Sequence, residues 1–542
     1  MTAVATKPAA AAAARIIESM DQVPQHLSNL CKKGGLLELR DEDASIVALL
    51  DLGEQQVVCL WAGEQTQVPT LVGVKTAAQS RGYTVRDTLR ATRDVIASCS
   101  EGRDVEEAEE ELENTQAIRT FDDIIAQAVA KGASDVHISP TRRHAIIRYR
   151  INGELVEAKR MPAKQVEFMV RAMYSQADVD SRRSQPTFSP DLYLDASLQR
   201  RVEVNGKFEE LKLRWASGPV WPDSFDVALR LLHVGQETVS RSLDALGYTK
   251  EQESLLVDAL RQPSGLILLC GTTGAGKSTT CATLAELWGN RYQGTRMLRS
   301  LEDPPEYVIA GARQMPVSRK DAQSKGDEEG FHRALRAAMR MDPDALFLGE
   351  VRDAITADLL QQLVLTGHKA FATLHGGSVF AAIGRLQELG VSLSRLASEG
   401  FINAIVHQHL VPVLCPHCAR AYSAEEVGVA LHAQYQEDLG EANLATAKVR
   451  GDGCEHCTNG LRGRTALASI LTPDAGFRQL LRSGDDAGAM AYWRSGRSAS
   501  HGGVQARTQV AQAVELIRQG VLSPVDADLA LGRLRDEPVV RP

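Results

Sequence analysis

Gly271–Ser278 reads GTTGAGKS, a glycine-rich octet that satisfies G-x-x-x-x-G-K-[ST] at every fixed position. The run before it, Leu266–Cys270, is apolar and of strand length, and Ser278–Leu287 after it has helical character. Strand, glycine loop and helix in that order have a physical use. Glycines let consecutive backbone N–H groups turn inward around an anion, and the helix N-terminus adds the positive end of its dipole. Gly271, Thr272, Thr273, Gly274, Ala275, Gly276, Lys277, Ser278 and Thr279 are therefore the expected phosphate cradle. In such a cradle Lys277 reaches the β- and γ-phosphates and the Ser278 hydroxyl ligates Mg²⁺. From Ser264 onward, buried apolar strands alternate with helices, which predicts an α/β fold on a parallel sheet.

A phosphate loop alone does not fix a reaction. Hydrolysis also needs a carboxylate that orients or activates water. In MDPDALFLGEVRD, Met341–Asp353, the apolar strand Ala345–Leu348 stops just before Glu350. Ligands of open α/β sheets sit beyond the C-terminal strand ends, so a neighbouring strand is expected to bring Glu350 near Lys277. LEDPPE, Leu301–Glu306, follows a predicted strand at Arg296–Leu301 and offers Glu302, Asp303 and Glu306, with Pro304 and Pro305 fixing the loop. These carboxylates either serve Mg²⁺ or the attacking water, or form a plain polar loop. TGHKAFATLH, Thr366–His375, places His368 and His375 on either side of a short strand, for phosphate sensing or for structure.

The upstream chain reads differently. Ser45–Leu52 and Gln56–Ala62 predict a strand pair around Gly53. EGRDVEEAEEELE, Glu101–Glu113, is an acidic run expected to separate domains. A helix at Phe121–Val129 and alternating strands up to Val227–Leu232 predict an α+β domain over 115–235. The expected order is 1–100, an N-terminal partner-binding domain; 101–114, the acidic linker; 115–235; a core at 245–404; a cysteine module at 405–465; and a helical region at 466–542.

CPHC at Cys415–Cys418 and CEHC at Cys454–Cys457 are two C-x-x-C knuckles separated by residues 419–453. Paired knuckles suit tetrahedral Zn²⁺ in a closed, structural Cys₄ shell. His417 and His456 are alternative ligands, and a redox dithiol is the other reading. Cys31, Cys59, Cys99, Cys270 and Cys281 read as buried thiols, the last two flanking the phosphate loop where oxidation would be felt. The 542 residues carry a formal charge of −8, which argues against a general nucleic-acid coat, and their ordinary composition excludes disorder over the whole length. No run approaches the roughly 18 apolar residues of a membrane span. The N-terminal Lys7 and alanine tract lack a signal-peptide pattern. A cytosolic protein is expected.

Taken together, GTTGAGKST, LEDPPEY, RMDPDALFLGEVRD and TGHKAFATLH resemble, in order, the Walker A, Asp box, Walker B and His box of the secretion-superfamily hexameric ATPases. These motors serve type II secretion and type IV pilus assembly. ASDVHISP, IIRYRINGEL, LKLR ending at Arg214 and ALRLL around Arg230 extend the resemblance upstream, to about 115–540. It implies a RecA-like ATPase domain joined to a smaller α+β domain, six subunits in a ring, and ATP with Mg²⁺ between the domains. It implies that Glu350 activates water with help from Glu302, that His375 belongs to the site, and that Arg214 and Arg230 close onto the phosphates. Arg336 and Arg340, in FHRALRAAMR with Arg333, match family arginines near the site, though a solvated helix face is their other reading. It also implies peripheral placement at the inner membrane against a polytopic partner, with no nucleic acid. Assembly-type motors carry a tetracysteine module, which argues against a conjugative DNA-transfer ATPase; the departures in the smaller domain favour type IV pilus assembly, in the type IVb or plasmid thin-pilus branch, over a type II secretion ATPase, and a non-hydrolysing nucleotide-binding scaffold is the further rival. SRRSQPTFSP, Ser181–Pro190, and HGGS after the His box depart from the usual pattern.

Overall fold

The computed structural model describes residues 16–19, 22–26, 28–31, 36–100, 105–178, 185–233, 242–303, 305–317, 327–495 and 508–535. Lys7 with its alanine tract, the stretch 181–184 and Pro304 lie outside them. The chain divides into two compact units, Met1–Phe121 and Asp122–Pro542.

In the first unit the predicted strand pair is the centre of a five-stranded sheet. Strands β1 (Ile16–Ile17), β2 (Ser28–Asn29), β3 (Val47–Gly53), β4 (Gln56–Trp61) and β5 (Thr84–Ala91) run in the order β1-β5-β4-β3-β2. Alternation along β3 and β4 decides the layers. Leu49 and Cys59 face the helix Val68–Ser80 through Val74 and Ala78. Leu50 and Leu60 face the helix Arg93–Ser100 through Val95 and Ile96. The acidic run is helical from Val105, within one continuous helix reaching Ala130, so the helix expected to begin at Phe121 starts well upstream.

The second unit opens with a six-stranded antiparallel sheet, here called the arm. Its strands are β6 (Asp135–Pro140), β7 (His144–Ile151), β8 (Glu154–Pro162), β9 (Leu194–Val204), β10 (Lys207–Val220) and β11 (Ser224–His233), ordered β8-β7-β6-β11-β10-β9. The helix Ala163–Tyr174, which no sequence signal had marked, buries Val166, Met169, Val170, Met173 and Tyr174. Tyr174, Phe188, Trp215 and Phe225 then meet edge to face, with centroids 5.1–6.4 Å apart.

The core is a seven-stranded sheet. It contains β12 (Gly265–Cys270), β13 (Leu298–Glu302), β14 (Ala312–Pro316), β15 (Ala345–Leu348), β16 (Lys369–Leu374), β17 (Ile402–Leu414) and, after two short strands, β20 (Leu461–Leu471). The order is β14-β13-β15-β16-β12-β17-β20, parallel except for the last pair. Helices on both faces explain why β12, β15 and β16 are buried at every position. Lys277–Arg291 and Lys250–Arg261 cover one face; Ala354–Leu365 and Val379–Glu388 cover the other. The expected boundaries at 404/405 and 465/466 fall inside β17 and β20 and need correcting. The cysteine module is an insertion between two paired strands of the core sheet, holding β18 (Arg420–Ala421), β19 (Lys448–Val449) and three helices. Among the described residues, no helix is long and apolar enough to cross a membrane.

Candidate functional site

The phosphate loop leaves β12 at Cys270 and enters the helix Lys277–Arg291 at Gly276, whose φ of 81° lies in the left-handed region. A side chain there is excluded twice over. The backbone disfavours it, and a Cβ would lie 2.8 Å from Gln408 Nε2. Thr272, Thr273 and Gly274 are exposed at the loop's crest, while Ala275 is buried beneath it.

Gln408, 1% exposed in β17, holds the loop from below. Its Nε2 donates to Ala275 O (2.7 Å). Its Oε1 accepts from Tyr248 Oη (2.5 Å) and Thr280 Oγ1 (2.9 Å). The sequence reading missed this hub; its only signal was a glutamine in a strand that is otherwise mostly apolar. Gln408→Leu keeps the volume but strands three buried polar groups. It is expected to cost about 3 kcal/mol in denaturant unfolding and to weaken anion binding at the loop.

Lys277 is 9% exposed. Its Nζ donates to Gly271 O (3.0 Å) and Thr272 O (2.8 Å), so the ammonium lies across the loop. Burial pulls its pKa down, and the charge of Glu350 works against that. Ser278 is half-buried at the first turn, and Thr279 Oγ1 donates to Tyr307 Oη (3.2 Å).

Glu350 lies just past β15, but β16 separates that strand from β12. The expected direct neighbour is therefore one strand removed. Its carboxylate is held by Arg352 Nε (2.8 Å) and faces His375 Nε2 (3.1 Å). Gly349 fits between because a Cβ would already lie 3.3 Å from Leu301 O. Thr373 Oγ1 donates to Gly349 O (2.5 Å), which fixes the turn that presents Glu350. Glu302 is only 7% exposed; Ser300 Oγ (2.6 Å) and Gln314 Nε2 (3.0 Å) both donate to its Oε1. Burial pushes its carboxyl up, against those two hydrogen bonds. His368 lies at the opposite end of β16, where its Nδ1 meets Thr366 Oγ1 (2.9 Å) and Leu363 O (3.1 Å). Of the two histidines, His375 is the one paired with Glu350.

Arg214 and Arg230 stand directly opposite each other on β10 and β11. Both are exposed, and Arg230 Nε donates to Asp135 Oδ1 (3.1 Å). Among the described residues, no hydrogen bond or ion pair joins either to the phosphate loop. Arg336, in the helix Asp327–Met339, and Arg340 just beyond it are exposed. Cys270 and Cys281 are fully buried; burial pushes the Cys270 thiol up to about 12 and Cys281 well above its ordinary value. Such thiols are inert, so the oxidation-sensitive reading of this pair is withdrawn.

The two knuckles meet although they are far apart in sequence. Leu414 of β17 pairs with Leu461 of β20, which sets Cys415 beside the residues just before β20, and Cys415 N donates to Gly460 O (2.8 Å). The four sulfurs lie within 4.8 Å of one another. Cys415–Cys454 and Cys418–Cys457 are 3.7 Å apart and Cys454–Cys457 3.6 Å. Thiolates about 2.3 Å from one tetrahedral zinc stand about 3.8 Å apart. The donor set therefore fits that ion and excludes disulfides. His417 and His456 stack at 4.3 Å between centroids and stay outside the sulfur cluster.

Comparison with known proteins agrees with this architecture. The type II secretion system protein E of Pseudomonas aeruginosa is 30% identical over 409 residues, covering 74% of this chain and 75% of that one. The type IV pilus assembly ATPase PilB of the same organism is 28% identical over 379 residues, covering 69% and 62%. Among solved structures, the ATPase DotB of Legionella pneumophila superposes with a TM-score of 0.53 at 18% identity, over 76% of this chain and 95% of that one, a likeness of fold. Residues 110–520 match the family of type II/IV secretion system proteins, and the chain belongs to that family.

Proposed function

We propose that this chain is a hexameric, ATP-hydrolysing motor that powers type IV pilus assembly. The observation that carries the reading is one cluster. It comprises a phosphate loop with its lysine buried across it, and a carboxylate one strand away whose charge reaches that lysine. The residues fit the groups the reading needs. Gly271–Thr279 would hold the triphosphate, with Lys277 turning from its two backbone carbonyls to the β- and γ-phosphates. Ser278 would hold Mg²⁺, which when bound neutralises charge on the phosphate oxygens.

The remaining roles follow from position. Glu350 accepts the proton of the attacking water, and His375 and Arg352 fix which of its oxygens faces the nucleotide. Glu302, buried and hydrogen-bonded through one oxygen, positions rather than abstracts. Arg214 and Arg230 form one cationic pair on the arm, which closes onto the phosphates and stabilises the charge that develops there. Arg336 and Arg340 supply further positive charge from an exposed helix. Cys415, Cys418, Cys454 and Cys457 hold a structural Zn²⁺.

The motor would work peripherally at the cytoplasmic face of the inner membrane, against a polytopic platform protein, without nucleic acid. A type II secretion motor is the second reading, favoured by the relative that is 30% identical. The test is Mg²⁺-dependent ATP turnover by the full chain, with its mass measured with and without nucleotide. A stable monomer without turnover would sink the motor reading; the platform protein captured with the chain separates pilus from secretion.

A further inference from the structure

Among the described residues, the β7–β8 hairpin of the arm makes two polar contacts with the chain around the cysteine knuckles. The β7–β8 hairpin turns through Asn152 and Gly153, at φ 53° and 93°, the backbone an Asn-Gly two-residue turn adopts. From that tip Asn152 Nδ2 donates to Leu461 O (3.4 Å), and Glu154 pairs with Arg450 Nη1 (2.6 Å). Farther back the surfaces part. A cavity of about 570 Å³ separates β8 from residues 452–459, with Tyr149 and Val156 on one wall and His456 on the other.

Arg450 is held on its far side by Asp526, which is 4% exposed and accepts from Nε at 2.9 and 3.0 Å. One guanidinium thus joins two carboxylates from different parts of the chain, a use its planar fork of donors suits. Its backbone is placed by the knuckles. On Gly451, the next residue, a Cβ would lie 1.9 Å from Cys418 O, and on Gly460 one would lie 2.6 Å from Gly451 O. Arg450–Gly451 and Gly460–Leu461, the two stretches that receive the hairpin, are therefore packed against the cysteine turns.

We propose that Arg450 is a positioning residue that pins the arm to the core, and that metal at the four cysteines keeps the pin in place. The inference rests on the reading of those cysteines as a metal site. It adds that metal occupancy governs where the arm sits, and with it the Arg214–Arg230 pair. Without metal the knuckles open, Arg450 and Leu461 shift together, and the hairpin loses these two contacts.

Hydrogen exchange on the full chain tests this without nucleotide. Glu154 is the residue to change, because it is half-buried at a hairpin tip, whereas Arg450→Ala would leave Asp526 buried and unpaired. Glu154→Arg is expected to speed exchange across residues 149–158 by up to about fivefold, and chelation of the unaltered protein by at least as much. The helix Lys277–Arg291 should not change in Glu154→Arg. In Glu154→Arg, chelation should add less than it does in the unaltered protein, because the pin is already broken. Fully independent effects, or a metal-loaded hairpin indifferent to either treatment, overturn the pin. A preparation that binds no zinc overturns the metal reading and, with it, control by metal.

Discussion

Glu350→Gln is expected to bind ATP normally and to lower turnover by about 10²–10⁴-fold, the usual worth of a positioned base. The amide is nearly isosteric with the carboxylate. It can still accept from Arg352, so the turn fixed by Thr373 and Gly349 should survive. What it loses is the ability to take a proton. The hydrogen bonds of the cradle are kept, since those of Lys277 and the Gln408 hub do not involve Glu350, and Lys277 loses only the charge of that carboxylate. Nucleotide affinity measured by titration should therefore hold while phosphate release collapses. Normal turnover would move the base elsewhere, and Glu302 is a poor substitute: one of its oxygens already accepts two hydrogen bonds, and burial resists its ionisation.

Loss of metal from the four cysteines is expected to have the larger effect on stability. Structural zinc contributes on the order of 10 kcal/mol of folding free energy in small zinc-finger peptides, where little else holds the chain. Here the module also rests on Tyr435, Leu439, Ala513 and Ile517, which pack with Val411 and Leu467 of β17 and β20. Chelation or Cys454→Ser should consequently unfold residues 415–460 first and lower the thermal midpoint of the whole chain. Metal analysis should return one zinc per chain in the unaltered protein and none in the variant. A zinc-free preparation that melts at the same temperature would refute the assignment.

Local signals in the sequence placed the central features. The glycine loop, the apolar run ending in Gly349–Glu350 and each single C-x-x-C knuckle lie within a dozen residues, so local spacing picks them out. What escaped depends on contacts between distant segments. Gln408 serves the loop from a strand more than a hundred residues later, and nothing around it in sequence announces the hydrogen bonds to Tyr248 and Ala275. The order of strands was equally hidden. Placing β16 between β12 and β15 requires knowing which apolar runs pair, and fully buried strands lack the alternation that would tell. The arginines are a mixed case. The family resemblance assigned them to the phosphates, and their register opposite each other emerges only in the sheet.

The thirteen pleated residues of β17 span about 43 Å at the usual rise per residue, and the strand is bonded to β12 along one edge and to β20 along the other. Near its middle Gln408 grips the phosphate loop; just past its end Cys415 starts the first knuckle. The glycine loop and the first cysteine knuckle thus share one strand, whose register shifts once between them, at Pro412–Leu414.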